Sequence, residues 1–153
     1  MGEYTLDQRH LRGIFSENLV AAYLAGQGKE IFLPTSPRSR CDLIYLDPNP
    51  VRVQVKTASM SVADGNAYEQ CRLFKRANPD RKGYTAEEVD ELWVVGTHLW
   101  KFPVAEIVGR TSLCLSDVEK RPRREALSYA PEARIVLRGS PENPVRGWLS
   151  ASI

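Results

Sequence analysis

The alternation of polar and apolar positions over residues 41–57 predicts two strands joined by a turn. This stretch reads CDLIYLDPNPVRVQVKT, in which residues 43–46 are apolar and the DPNP segment is rich in turn-forming residues. From residue 51 to 57 the chain alternates strictly, with valines on one side and polar residues on the other, as in a half-buried strand. The polar side therefore presents Gln54 and Lys56 next to each other.

An amphipathic helix is predicted before this stretch. Thr5 and Gln8 fit a capping box, and the helical pattern continues to about Ala25, where two glycines follow. One stripe at helical spacing comprises Ile14, Glu17, Ala21 and Leu24. Because a cation removes the cost of burying an unpaired carboxylate, we expect Glu17 to point at a metal on the sheet. The alternative is that Glu17 lies at the edge of the stripe and reaches water.

The remaining loops, strands and helices are predicted from weaker sequence patterns. The loop TSPRSR at residues 35–40 leads into Asp42 and carries Ser36, Arg38 and Arg40, which suit a phosphate contact or a solvated loop. Residues 58–66 are predicted to form a loop. Short strands are predicted at residues 30–33, 68–73, 92–95, 99–102 and 133–137, with a capped helical turn at 85–88 and a short helix at 103–108. For residues 68–73 a helical turn is the alternative.

Composition favours one soluble globular domain covering residues 1–153. Of the 153 residues, 42% are hydrophobic and 26% are charged, and the net charge is +2. No apolar run has the length of a membrane span, and the N-terminal residues lack a signal-peptide core, so we expect a cytoplasmic, intracellular protein. Three widely spaced cysteines and two histidines give neither a zinc pattern nor a disulfide framework.

A geometric condition applies to the predicted hairpin. Asp42 shares a sheet face with Gln54 and Lys56 only if its directly opposite partner has an even number, which needs an odd-length connection or a bulge. A tight four-residue loop at residues 47–50 would place Asp42 opposite Val55 instead. If the condition holds, an acid, an amide and an amine converge on one face, where they suit a divalent metal beside a phosphate.

The order of these residues resembles the PD-(D/E)XK nuclease superfamily. The matching text, residues 13–57, reads GIFSENLVAAYLAGQGKEIFLPTSPRSRCDLIYLDPNPVRVQVKT and covers under a third of the chain. Within the superfamily it is most similar to the archaeal-type Holliday junction resolvases and the related group I intron-encoded homing endonucleases. The resemblance implies an α/β fold, with a mixed central β-sheet of about five strands flanked by helices.

The resemblance also implies roles for individual residues. Glu17, Asp42 and Gln54 would surround Mg²⁺, or Mn²⁺ in its place, and the backbone carbonyl of Val55 would be a further ligand. Lys56 would orient the attacking water or help to deprotonate it, and Ser36 matches a loop serine near the site in the resolvases.

Two positions depart from the family pattern. Cys41 stands where the motif has proline, which is a tolerable loss. Gln54 replaces the usual Asp or Glu. Its neutral oxygen still ligates a hard cation, but one negative charge is lost, so metal affinity should fall and Glu17 should matter more. Glutamine occurs at this place in some intron-encoded members.

The expected function is a magnesium-dependent DNA endonuclease, most like a junction resolvase acting on branched DNA. The alternatives are a sequence-specific homing endonuclease acting on duplex DNA and a non-catalytic DNA-binding protein that kept the fold. Arg123 and Arg124, in the basic cluster KRPRR, suit a DNA backbone contact or simply a soluble surface. Because the resembling families are symmetric assemblies, we expect a homodimer or larger homo-oligomer, without membrane association.

Overall fold

The structure is a computed structural model that describes residues 7–74 and 83–115, together with the backbone of residues 134 and 135. Arg123 and Arg124, which were predicted to contact DNA, lie outside these ranges. The expectation that residues 1–153 form one domain stays a prediction.

The long helix α1 spans Gln8–Gly26. Its N-cap is Asp7, whose side chain accepts a hydrogen bond from the Arg9 backbone N–H at 3.1 Å, so the predicted cap at Thr5 was wrong. The predicted stripe was also partly wrong, because Ile14 is 43% exposed. The buried residues of α1 are Ser16, Leu19, Val20 and Leu24. Neither of the described ranges contains a helix with the length and apolar character needed to cross a membrane.

Strands make up most of the remaining described chain. The prediction of a loop at residues 58–66 was wrong, because a strand fills residues 59–63 and a tight turn follows it. The strands are β1 Ile31–Phe32, β2 Leu43–Asp47, β3 Asn49–Thr57, β4 Ser59–Ala63, β5 Asn66–Arg72, β6 Glu91–Val95, β7 Leu99–Pro103, β8 Ser112–Cys114 and β9 Arg134–Ile135. The one-turn helix α2, Val104–Ile107, follows β7.

The strands form two sheets. The central sheet has the order β1-β2-β3-β6-β7-β9, in which β3 and β6 are parallel and the other neighbours are antiparallel. The second sheet has the order β4-β5-β8. The predicted α/β fold with a mixed central sheet is confirmed, and two of the six central strands, β1 and β9, contain only two residues each.

The two faces of the central sheet are covered by different elements. On one face, α1 packs against Val53 and Val55 of β3. On the other face, Leu92 and Val94 of β6 pack with Cys71 of β5, which belongs to the second sheet. Because both faces of the sheet are covered here, residues 53–55 of β3 are buried, and these include the polar Gln54. Lys56 is only partly buried and Thr57 is exposed at the end of the strand.

The β2–β3 hairpin has the register that the predicted site requires. Asp47 pairs with Asn49 and Leu43 pairs with Val53, so Pro48 alone connects the two strands. One position before Leu43, the same register places Asp42 opposite Gln54. The connection is therefore of odd length, and the geometric condition set by the sequence is met.

Arg52 fastens β3 to the segment that precedes β6. Its backbone N–H, Nε and one terminal nitrogen donate to the Asp90 carboxylate at 2.8, 3.0 and 2.8 Å. The guanidinium also donates to the backbone carbonyls of Ala86, at 2.9 Å, and Glu87. The Asp90 backbone N–H donates in return to the Arg52 carbonyl at 2.9 Å. Such planar, charge-assisted bonding fixes residues 86–90 on the sheet.

Arg52→Ala is expected to lower the free energy of unfolding by about 1–3 kcal/mol, because it removes four side-chain hydrogen bonds. The effect stays moderate because the two side chains are 34% and 39% exposed. Urea unfolding measures the change, with the exposed Arg38→Ala as a control within about 0.5 kcal/mol of wild type. Equal losses in both variants would contradict the role of Arg52.

The Arg52–Asp90 pair also predicts how stability depends on pH. Hydrogen bonds from Arg52 hold the pKa of Asp90 below its ordinary value, although burial acts in the opposite direction. A lowered pKa adds stability above the unfolded-state pKa of about 4, and this stability is lost as the pH falls through the folded-state pKa. Thermal unfolding between pH 7 and 2.5 should show a shallower acid loss in Arg52→Ala than in wild type. Parallel curves would contradict this linkage.

Candidate active site

Asp42, Gln54 and Val55 come together where β2 begins beside β3. The Asp42 backbone N–H donates to the Val53 carbonyl at 2.8 Å, which continues the ladder beyond the paired residues. One Asp42 carboxylate oxygen, Oδ2, accepts a hydrogen bond from the Val55 backbone N–H at 2.7 Å and another from Gln54 Nε2. Gln54 Nε2 also lies 3.4 Å from the Val55 carbonyl oxygen. The amide of Gln54 thus occupies a point on which two oxygen acceptors converge.

Gln54 is buried with an unsatisfied acceptor. The side chain is 5% exposed, and its Oε1 has no hydrogen-bond partner among the described residues. A buried carbonyl without a partner costs roughly 1–3 kcal/mol. Rotation of the amide by 180° would place Oε1 beside Asp42 and the Val55 carbonyl, where a cation would satisfy all three oxygens. The residues present therefore fit a hard divalent cation, which prefers carboxylate, amide and backbone oxygens.

Helix α1 brings Glu17 to the same end of the sheet. The buried Ser16 hydroxyl hydrogen-bonds the Thr57 hydroxyl at 2.7 Å, which ties the helix to the end of β3 beside Lys56. The pKa of Glu17 is raised, first by partial burial and then by the Asp42 charge, while His10 and Lys56 act in the opposite direction. Two carboxylates that repel each other are a further feature that a bound cation would relieve. Glu17 keeps contact with solvent, so it lies at the edge of the predicted helix stripe.

Lys56 follows on the same strand and face as Gln54. Its ammonium nitrogen lies 5.4 Å from the centre of the Tyr84 ring, within the range of a cation–π contact. Burial and the Asp42 charge both raise the pKa of Tyr84, so this ring belongs to the same cluster. Tyr84 was not predicted from the sequence, because nothing in the local pattern links it to Lys56, 28 residues earlier. The capped turn predicted at residues 85–88 was the one available signal that this segment is ordered.

In the loop before Asp42, residues 35–40, two of the three residues predicted to contact phosphate form hydrogen bonds or ion pairs within the protein. Ser36 Oγ accepts a hydrogen bond from the Arg38 backbone N–H at 3.3 Å, within a local turn. Arg38 is exposed. Arg40 forms an ion pair with Glu88, although its side chain remains 71% exposed. Of the three predicted phosphate contacts, the structure therefore leaves Arg38 open to solvent and engages Arg40 with the segment that carries Tyr84.

The predicted metal-ligand set contains two carboxylates and an amide. Accordingly, no group of three or more His, Cys, Asp or Glu residues with metal-binding potential is found in the described ranges. The structure brings together Glu17, Asp42, Gln54, Val55 and Lys56, and their chemical roles stay a prediction.

The fold is also found in a solved nuclease. A bacterial homing endonuclease, I-Ssp6803I, superposes with a TM-score of 0.66 over 84% of this chain and 89% of its own, at 19% sequence identity. At this level of identity the likeness shows a common fold. The chain is therefore an α/β protein of the restriction endonuclease-like class, as the sequence predicted.

The sequence comparisons identify the family. The profile of the PD-(D/E)XK endonuclease family matches residues 7–131. Protein 5.3 of Escherichia phage T7 is 32% identical over 117 residues, which are 75% of this chain and 97% of the phage protein. The chain belongs to the PD-(D/E)XK endonuclease family, and the predicted nuclease identity is confirmed.

Proposed function

We propose that the protein is a divalent-metal-dependent endonuclease that cuts duplex DNA at particular sequences, as homing endonucleases do. The observation that carries the proposal is the meeting of Asp42, Gln54 and Val55, with Lys56 on the same strand. Carboxylate, amide and backbone oxygens can hold a divalent cation, and an amine beside them can stabilise charge on a phosphate, so together they suit phosphodiester hydrolysis.

The metal would be held by Glu17, Asp42, Gln54 Oε1 and the Val55 carbonyl, with Mg²⁺ as the expected ion and Mn²⁺ as a substitute. Such an ion, when bound, polarises the phosphoryl oxygen and lowers the pKa of a bound water. The chain itself contributes the placement of these oxygens. The Val55 N–H bond to Asp42 Oδ2 orients the carboxylate, and enclosure of β3 limits the movement of Gln54.

Lys56 would supply a positive donor on the side from which water attacks. A flexible ammonium can orient that water and stabilise charge developing on the phosphate. Its position two residues after Gln54 places it on the same face, because strand residues alternate.

Sequence-specific cleavage is preferred to junction cleavage for two reasons. One solved structure that shares this fold and covers most of both chains is that of a homing endonuclease. In addition, β4 and the part of β5 before Gln70 form a two-stranded ribbon around the Asp64–Gly65 turn, and a ribbon of this kind fits the major groove, where bases are distinguished. Junction resolution remains the second candidate, because the described residues form no separate DNA-reading domain, and shape recognition does not require one.

Two active centres related by the symmetry of DNA can cut both strands of a duplex in one binding event. We therefore propose a homodimer or a larger symmetric homo-oligomer. Sedimentation of the protein alone and with a cleavable duplex measures this state, and a monomer in both conditions would contradict it.

A cleavage assay in Mg²⁺ tests the function. The substrates are a pool of random duplexes, a four-way junction and the linear duplex arms of that junction, each with wild type and with Lys56→Ala. Enrichment of one cut sequence in the pool supports the homing proposal. Paired cuts confined to the junction would replace it with resolvase activity. If no substrate is cut and wild type equals Lys56→Ala, the protein is a DNA-binding module that has lost catalysis.

A further inference from the structure

Tyr84 lies between Lys56, the proposed catalytic lysine, and the buried cluster that joins the central sheet to the second sheet. Its ring packs against the buried cluster that includes Leu92 and Val94, and the Lys56 ammonium lies over its face at 5.4 Å. The hydroxyl is buried and has no hydrogen-bond partner among the described residues. The aromatic face is thus the part of Tyr84 that contacts Lys56.

The segment that carries Tyr84 is held firmly on the sheet. Arg52 binds the backbone carbonyls of Ala86 and Glu87 and the Asp90 carboxylate, as described above. Nearer the ring, the Thr85 backbone N–H lies 3.4 Å from Glu88 Oε2, and Glu88 N–H donates to the Thr85 carbonyl at 3.1 Å. The ring therefore offers a fixed surface to Lys56.

A fixed ring matters for a lysine because its four-carbon side chain has many rotamers of similar energy. Restricting such a side chain costs conformational entropy, and the cost rises further if the charge must leave water. A cation–π contact offsets part of this cost and limits where the ammonium can be. The ammonium would then already lie near Asp42 before DNA arrives.

We propose that Tyr84 is a positioning residue for Lys56, and that its aromatic face holds the ammonium in the place where the cleavage reaction needs it. This inference rests on the proposed function, in which Lys56 acts on the attacking side. Tyr84 itself touches neither DNA nor metal in this proposal. Its removal should affect the chemical step more than DNA binding.

Three variants distinguish the effect of the Tyr84 ring from the effect of its hydroxyl and from that of packing in the buried cluster. Tyr84→Leu removes the aromatic face, whereas Tyr84→Phe keeps it and removes only the unpartnered hydroxyl. Val89→Ala is the matched control, because Val89 is fully buried in the same cluster five residues later. All variants are assayed well below the lowest melting temperature, so that each remains folded.

Two measurements are made on these proteins. Single-turnover cleavage with Mg²⁺ gives the rate of the chemical step, and DNA affinity is measured separately in Ca²⁺. Tyr84→Leu should lower the rate by about tenfold to a hundredfold with affinity changed less than about threefold. Tyr84→Phe should recover most of the wild-type rate, and Val89→Ala should retain it despite a lower melting temperature.

A third measurement does not depend on activity. The Lys56 side-chain methylene resonances, observed by NMR in the DNA-free protein, should show a ring-current shift in wild type and Tyr84→Phe. The shift should be absent in Tyr84→Leu and present in Val89→Ala.

The outcomes distinguish this inference from the proposed function. If wild type cuts no DNA, the proposed function fails, while the NMR shift still decides whether the ring holds Lys56. If wild type cuts DNA and Tyr84→Leu cuts equally well, the positioning role alone is overturned. A loss in Tyr84→Phe equal to that in Tyr84→Leu would also overturn it, because the hydroxyl would then be the active part.

Discussion

Lys56→Ala is expected to lower the DNA cleavage rate by at least about a hundredfold and to leave DNA affinity within about threefold of wild type. The loss should fall on the rate because the lysine's proposed interactions strengthen as charge develops on the phosphate. A single ammonium adds little to ground-state affinity when several other contacts hold the DNA. Single-turnover cleavage and equilibrium binding measure the two quantities separately.

A surface lysine provides the control for this prediction. Lys29 forms an exposed ion pair with Asp47 at 2.5 Å, at the far end of the β2–β3 hairpin from Lys56. Lys29→Ala removes the same charge and should leave the cleavage rate unchanged. Retained cleavage in Lys56→Ala would show that the proposed site is misassigned, whatever the overall activity of the protein.

Asp42→Asn is expected to weaken Mn²⁺ binding by about tenfold or more and cleavage by about a hundredfold to a thousandfold. The proposed ligand set has only two carboxylates, because Gln54 has replaced a third, so the loss of one is severe. The fold should survive, since the asparagine oxygen can still accept the hydrogen bond from the Val55 N–H. Calorimetric titration with Mn²⁺ and urea unfolding of the metal-free protein measure the two effects.

Asp47→Asn is the matched control for Asp42→Asn. Asp47 lies at the other end of β2, where its side chain is 51% exposed. Its substitution should change neither Mn²⁺ affinity nor cleavage. If Asp42→Asn binds Mn²⁺ as tightly as wild type does, Asp42 is not a ligand and the proposed metal site is wrong.

The fold around the hairpin was predictable because its signals are local. Strict alternation defined β3, and the proline-rich turn separated it from β2. The register depended on the length of one connection. The sequence could state this condition but could not decide it, because both arrangements satisfy the same hydrophobic pattern. In the structure Pro48 alone connects the strands, and this brings Asp42 opposite Gln54.

The missed strand β4 shows where local pattern misleads. Its large apolar residues, Met60 and Val62, are 62% and 73% exposed, while the small Ser61 and Ala63 are the half-buried ones. The usual relation between hydrophobicity and burial is thus reversed. The Asp64-Gly65 dipeptide is the local signal for this hairpin, and in the structure both residues have positive φ values, 52° and 76°.

The contacts of Arg40 and Tyr84 were not predictable, for a different reason. Each contact joins segments that are far apart in sequence. The local sequence around either residue of a pair does not indicate its partner. A charged loop residue such as Arg40 suits a phosphate as well as a carboxylate. Only the folded chain shows that Glu88 lies within its reach.

Two of the contacts that build the candidate site join residues at very different separations along the chain. Gln54 and Asp42 are 12 residues apart, whereas Arg52 and Asp90, which anchor the segment carrying Tyr84, are 38 residues apart. Contacts between near neighbours in sequence cost less loop entropy and form earlier in folding. The oxygen atoms of Asp42, Gln54 and Val55 can therefore come together when the β2–β3 hairpin forms. The contact between Tyr84 and Lys56 forms later, when residues 83–90 pack on the sheet. By the same reasoning, local unfolding of the native protein would first detach residues 83–90 and remove the contact between Tyr84 and Lys56. The Asp42, Gln54 and Val55 oxygens of the hairpin would stay together.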